Sequence, residues 1–297
     1  MKILVTGETG QLAQCLRERA AGQVDLRLAT LGRPALDLED GESIFRAVRD
    51  MCPDVVINAA AYTAVDQAED EPDRAFRING AAAGEIALAA REAGARIIQI
   101  STDYVYDGRS DAAYDESAQV NPLGVYGQSK LDGEMRVRGA NPEHVIVRTA
   151  WVYSPFGKNF LKTMMRLAAD RDEVSVVDDQ HGNPSSALDV ADGLLALLRT
   201  WRTRPGAGLG GTYHLAGTGE TSWCGFAQAV FDACERNGLP SATARPIGTE
   251  AYPTKAVRPR NSRLSCVKFR RDFGYEAPNW RASANTTVAR LADRGAV

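Results

Sequence analysis

Met1-Lys2-Ile3-Leu4-Val5-Thr6-Gly7-Glu8-Thr9-Gly10-Gln11-Leu12-Ala13 opens the chain, and its reading decides the fold. The apolar run 3–5 reads as a buried strand, which breaks into a glycine-rich turn and then into helical spacing over 11–21. Gly7 and Gly10 let the backbone turn tightly and approach a pyrophosphate. The N–H groups at the helix start face the phosphates, and the helix dipole favours their charge. Ala13 takes the third small position, where helix and strand pack closely. A glycine pattern alone is weak; directly after a first strand it points to a dinucleotide.

The same alternation continues outward. Short apolar runs at 26–29, 55–57, 97–100 and 145–147 read as further strands of a parallel sheet covered on both faces. Between them, 41–51, 72–93 and 125–138 read as helices, with Pro72 at a first turn where its missing N–H costs nothing. The expected fold is α/β: a Rossmann-type doubly wound parallel sheet with right-handed crossovers. Residues 1–150 form the dinucleotide-binding unit. Residues 151–297 mainly form a smaller C-terminal substrate-binding lobe, with parts of 151–220 completing the sheet. In that second half 159–170, 186–200 and 222–237 read as helices, 204–211 as a flexible loop and 212–216 as a short strand. Pro253, Pro259 and Pro278 punctuate the tail.

Composition sets bounds. The 297 residues carry a formal net charge of −3, with 44% hydrophobic and 25% charged residues, ordinary for a globular protein. Mild acidity argues against nucleic acid as the main partner, since phosphate backbones call for a basic footprint. The chain starts directly on a strand, with no secretion signal, and no apolar run can span a bilayer. Cys15, Cys52, Cys224, Cys234 and Cys266 are odd in number and scattered, which reads as reduced thiols in the cytoplasm.

Cofactor selectivity is expected just after the second strand, where an NAD-selective site places an acid. Here the run is Ala29-Thr30-Leu31-Gly32-Arg33, with no acid before Asp37. Arg33 can pair with a 2′-phosphate, so the expectation leans to NADPH, with NADH also accepted. Asp37-Leu38 would sit by the adenine. The small residues of Asn58-Ala59-Ala60-Ala61 leave room for a ribose and nicotinamide.

Chemistry is expected at Tyr126-Gly127-Gln128-Ser129-Lys130, because residues four apart share a helix face. A free phenol has a pKa of about 10 and is a poor acid–base at neutral pH. A nearby ammonium favours phenolate and lowers that value. The pair can then give a proton to a carbonyl oxygen as hydride reaches the carbon. Lys130 can also hold the nicotinamide ribose. Such pairs arise by chance on many helices. This one gains meaning from Ser101-Thr102-Asp103 after strand 97–100, where Thr102 would orient a substrate carbonyl and Asp103 a sugar hydroxyl.

On these residues the chain resembles the extended short-chain dehydrogenases/reductases, and within them the dTDP-4-dehydrorhamnose reductase family. The likeness spans nearly the whole chain and runs through Gly7–Leu12, Asn58–Asp66, Ser101–Gly108, Tyr126–Lys130, Arg148–Tyr153, Asp179–Pro184 and Arg258–Leu264. It implies reduction of the C4 ketone of dTDP-4-dehydro-β-L-rhamnose to dTDP-L-rhamnose. Tyr126 would be the proton donor, Lys130 its partner at the cofactor, and Thr102, Asp103 and Trp151 would touch the sugar. Gln11, Leu12, Asp37, Leu38, Ala61, Tyr62 and Thr63 match cofactor contacts, and Arg260 would reach the diphosphate or nucleotide. Ala13 and Ala150 depart from the commoner glycine and serine without removing a catalytic group. Some relatives bind magnesium at a dimer interface. No ligand spacing here forms a metal site by itself, so Mg2+ and a homodimer stay open.

Two rival readings remain at this level. A dehydratase or epimerase of nucleotide sugars uses the same fold, but the dehydratases place Asp-Glu after the threonine, whereas Tyr104 follows Asp103 here. A non-catalytic, NADP-binding regulatory subunit also shares the pattern, yet has no chemical need for Thr102, Tyr126 and Lys130 together.

Overall fold

A computed structural model of the chain describes residues 1–293. The first half runs β1 (Lys2–Thr6), α1 (Gln11–Ala20), β2 (Arg27–Leu31), α2 (Gly41–Met51), β3 (Val55–Asn58), α3 (Val65–Ala68), α4 (Pro72–Phe76), α5 (Ala82–Glu92), β4 (Arg96–Thr102), α6 (Val125–Ala140) and β5 (His144–Thr149). The second half adds β6 (Val152–Tyr153), α7 (Phe160–Ala168), β7 (Glu173–Val177), β8 (His181–Gly182), β9 (Ser185–Ser186), α8 (Ala187–Thr203), β10 (Gly211–His214), β11 (Thr221–Ser222), α9 (Trp223–Arg236), β12 (Thr243–Ile247), α10 (Val267–Phe273) and α11 (Trp280–Asp293).

Six parallel strands form the central sheet in the order β10-β5-β4-β3-β1-β2. This is the expected doubly wound arrangement. Strand order reverses beside β1, and a ligand crevice opens at the carboxyl ends of the strands there. The two-residue period of a strand sorts the core. Ile3, Val5, Val55, Ile57, Ile98 and Val147 face α1 and α8. Leu4, Val56 and Ile97 face the other way, against Ile44 and Val48 of α2 and Ile86 of α5. A separate apolar core holds the second lobe together, built from Met164 and Met165 of α7, Phe226, Val230 and Phe231 of α9, and Val288 and Leu291 of α11.

The structure corrects several local expectations. The helix expected over 72–93 is interrupted by a π-helical turn, Arg77–Ala81, between α4 and α5. Here α6 presses so closely that a Cβ on Gly133 would lie 2.1 Å from the Asn79 carbonyl oxygen. The widened turn is where Asn79 becomes a clamp, described below. The strand expected over 212–216 ends at His214. The parallel pair of β7 and β12 went unforeseen, as did the helices α10 and α11 in the proline-punctuated tail.

Candidate active site

The glycine-rich turn has the geometry of an anion cradle. Gly7 sits at φ 92°, in the region glycine alone enters freely, and its N–H donates to the Leu31 carbonyl at 2.8 Å. Gly10 caps α1 with no side chain bonded over the helix start, and a Cβ built there meets nothing within 4 Å. The first N–H groups of α1 are thus open to a phosphate. Gln11 ties this turn to the second lobe: its Oε1 accepts from Ser154 Oγ (2.8 Å) and Asn159 Nδ2 (3.0 Å). Leu12 is half-buried against the first core. Arg33 is exposed just past β2, and Gly32 packs against Glu8, which places this segment at the rim of the cradle. Asp37 Oδ1 accepts from the Glu39 N–H at 3.0 Å, while Leu38 is buried in the α2 and α5 core. These residues fit a dinucleotide, with Leu38 contributing packing.

Beyond β3, Ala59, Ala60 and Ala61 are partly exposed and Thr63 is exposed. The Tyr62 side chain lies in a small cluster with Ala68 and Ala75, against which Tyr126 also packs. The Tyr62 backbone is fixed by Asn79, whose Oδ1 accepts the Tyr62 N–H (2.8 Å) and whose Nδ2 donates to the Tyr62 carbonyl (3.1 Å) and to Ser129 Oγ (3.0 Å). The π-turn therefore locks the alanine loop to α6, one residue before Lys130.

A buried polar ladder crosses three strands on the α6 side. The Ala60 N–H donates to Thr6 Oγ1 (3.0 Å), and Thr6 Oγ1 donates to Asn58 Oδ1 (2.6 Å). Asn58 Nδ2 donates to Gln99 Oε1 (2.8 Å), and Gln99 Nε2 to the Ile100 carbonyl (2.8 Å). That carbonyl also accepts Lys130 Nζ at 2.7 Å. Satisfied end to end, the ladder avoids the penalty of unpaired polar groups and fixes where the lysine sits. Sequence reasoning missed it. Its signal was an Asn and a Gln inside strands otherwise apolar.

Thr102, Asp103, Tyr126 and Lys130 converge at the carboxyl end of β4. Thr102 Oγ1 donates to Asp103 Oδ1 (3.0 Å) and accepts the Tyr104 N–H (3.2 Å). The Tyr126 ring meets Tyr104 edge-on, centroids 5.6 Å apart. α6 approaches this closely because position 127 is glycine: a Cβ there would lie 2.2 Å from the Tyr104 carbonyl oxygen. Asp103 is buried, its Oδ2 has no hydrogen-bond partner, and burial pushes its carboxyl up to about 6 against the pull of the Ser262 and Thr102 hydroxyls.

One electrostatic expectation fails. Tyr126 is not drawn down by Lys130; burial pushes the phenol up to about 12, with the Thr102 hydroxyl beside it pulling the other way. The reason is geometric: Lys130 spends its ammonium on the Ile100 carbonyl. Burial lowers that ammonium to about 8, opposed by the charge of Glu134. A phenol so raised is protonated at neutral pH, which is the form a proton donor requires.

Trp151 follows β5 by two residues, at the same sheet end; Thr149 of β5 is in register with Thr102. Arg260 stands apart from the converging group. It is exposed on a cleft of about 440 Å³ shared with Arg109, Arg258, Arg263, His181 and Asp107. Among the described residues no three His, Cys, Asp or Glu side chains gather as a metal site.

Residues 1–293 match the family model described as RmlD substrate binding domain. A dTDP-4-dehydrorhamnose reductase of Sinorhizobium fredii (strain NGR234) is 43% identical over 288 residues, covering 97% of this chain and 97% of that protein. The dTDP-4-dehydrorhamnose reductase of Salmonella typhimurium (strain LT2) is 40% identical over 295 residues, covering 98% of each. Among solved structures, the Bacillus anthracis dTDP-4-dehydrorhamnose reductase in complex with NADP has a TM-score of 0.90 at 34% identity, covering 97% of this chain and 99% of that one.

Proposed function

The chain belongs to the RmlD substrate binding domain family, and from that premise we propose that it reduces the C4 ketone of dTDP-4-dehydro-β-L-rhamnose to dTDP-L-rhamnose. The observation that carries this reading is geometric: Tyr126, Lys130 and the Thr102 hydroxyl converge at the sheet end that a Rossmann fold uses for its ligand.

The nicotinamide cofactor, when bound, supplies the hydride to C4. Gly7, Gly10 and Gln11 would hold its pyrophosphate at the start of α1, and Ala59, Ala60, Ala61 and Thr63 would line its ribose and nicotinamide. Arg33 at the cradle rim favours a 2′-phosphate, so NADPH is the preferred form. We assign this work to residues 1–150 and the sugar nucleotide chiefly to 151–297.

The protein's own part is orientation and proton transfer. Thr102 and Tyr126 would bracket the C4 oxygen, and Tyr126 gives its phenolic proton to the oxygen as negative charge develops there. A phenol at about 12 is a weak acid, yet an alkoxide is a strong enough base to take its proton. Lys130, charged and fixed by the ladder, would hold the nicotinamide ribose. The arginines of the cleft, Arg260 among them, would meet the diphosphate through charge-assisted bonds. Among the described residues no helix is long and apolar enough to cross a membrane, and we place the enzyme in the cytoplasm.

A cofactor carrying deuterium at the transferred position tests the reaction class. A reductase releases dTDP-L-rhamnose labelled at C4 and consumes cofactor one for one. Unchanged keto sugar with the cofactor unconsumed would contradict the reduction.

A further inference from the structure

Three constraints converge on one indole. Trp151 holds φ 45°, left-handed backbone that a side chain as large as tryptophan rarely adopts and that concentrates at functional sites. Trp223, the first residue of α9, stacks flat on it, with ring centroids 3.6 Å apart and planes 6° from parallel. Gly182 closes the pyrrole edge: a Cβ there would lie 2.5 Å from Trp151 Cε2 and 2.6 Å from Nε1. Trp223 is backed in turn by Phe160 of α7, centroids 4.6 Å apart, and Phe160 by Phe226 at 5.3 Å. The stack thus roots a residue from the end of the central sheet in the core of the second lobe.

We infer that Trp223 is a positioning residue, holding the Trp151 indole as a preset flat wall for the hexose of the sugar nucleotide. The inference rests on the functional reading above. A pyranose ring carries faces of C–H groups, and its 6-deoxy form adds a methyl; both match a flat aromatic surface better than a hydroxylated edge does. A ring already fixed pays no ordering cost when the sugar arrives. Without Trp223, one face of Trp151 loses its partner and the left-handed backbone loses part of what holds it.

Trp223→Ala and Trp223→Phe test this in the full chain. Near-UV circular dichroism reads the stack directly, since two indoles in contact couple and an indole beside a phenyl does not in the same way. Both variants should lose that coupled signal. Trp223→Ala should raise KM for dTDP-4-dehydro-β-L-rhamnose roughly tenfold, the scale of one lost aromatic contact. NADPH affinity should stay at the wild-type value, and Trp223→Phe should recover most of the loss in KM. A folded Trp223→Ala variant with wild-type KM overturns the proposal, as does a parallel loss of NADPH affinity. Calorimetric binding of dTDP-L-rhamnose to the same variants judges positioning apart from turnover. A wild type that binds this sugar nucleotide but reduces nothing sinks the functional reading, and the variants' affinities still decide the role of Trp223.

Discussion

At the scale of single residues, the account turns on Tyr126 and Lys130, two titratable groups that burial shifts in opposite directions. Lys130 lies near 8 because burial penalises its charge, so the ammonium is lost as pH rises through that value. The charged form is the stronger donor to the nicotinamide ribose that we propose it holds; kcat/KM should therefore fall on the alkaline side with an apparent pKa of about 8. A profile flat to about pH 9 would remove Lys130 from this role. Arg33 offers a separate test. Arg33→Ala should weaken NADPH about tenfold through loss of one charge-assisted contact and leave NADH unchanged, read as the ratio of the two KM values. At this scale the placing of Tyr126 and Lys130 on one helix was legible in sequence, because a four-residue spacing fixes a shared face. The electrostatics were not. Whether a lysine lowers its tyrosine depends on where the ammonium points, and the Ile100 carbonyl that captures it belongs to a strand 30 residues earlier. Asn79 and Gln99 stayed hidden for the same kind of reason, since their partners come from other elements.

At the scale of elements, α6 carries Tyr126 and Lys130, and two glycines let it come close. Gly127 meets the Tyr104 carbonyl and Gly133 the Asn79 carbonyl. A methyl at position 133 would have to push the π-turn aside, since that neighbour is backbone. Gly133→Ala should cost about 1–3 kcal/mol by overpacking, despite alanine's better helix propensity, and should loosen the Asn79 clamp. Thermal unfolding measures the first effect; a fall in turnover at unchanged far-UV signal measures the second. A variant as stable as wild type would show that the approach of α6 is not tight. Strands and helices of the first half were readable from alternation of apolar runs and helical spacing. The π-turn was not, because it answers to the facing helix rather than to the sequence of 72–93.

At the scale of the whole molecule, two cores meet over a crevice at the carboxyl ends of the strands. The first core is the sheet with α1 and α8 on one face and α2 and α5 on the other; the second is the lobe around α9. Arg290 of α11 spans the join, donating from both Nη atoms to the Glu18 carboxylate of α1 at 2.6 Å each. Both partners keep solvent contact, so Arg290→Ala should cost no more than about 1 kcal/mol, checked by urea unfolding. A larger loss would mean that the join carries the stability of the lobe. The second half was less legible because its order comes from long-range pairing. β12 finds β7 some 70 residues away, a pairing that no local pattern announces. The central claim spans both cores, a reductase whose proton comes from Tyr126. Its most direct test is NADPH oxidation with dTDP-4-dehydro-β-L-rhamnose by wild type and Tyr126→Phe, side by side with NADPH binding. The account predicts steady turnover by wild type, and equal NADPH affinity with at least about a hundredfold slower turnover by the variant. Near-normal turnover by Tyr126→Phe would contradict it.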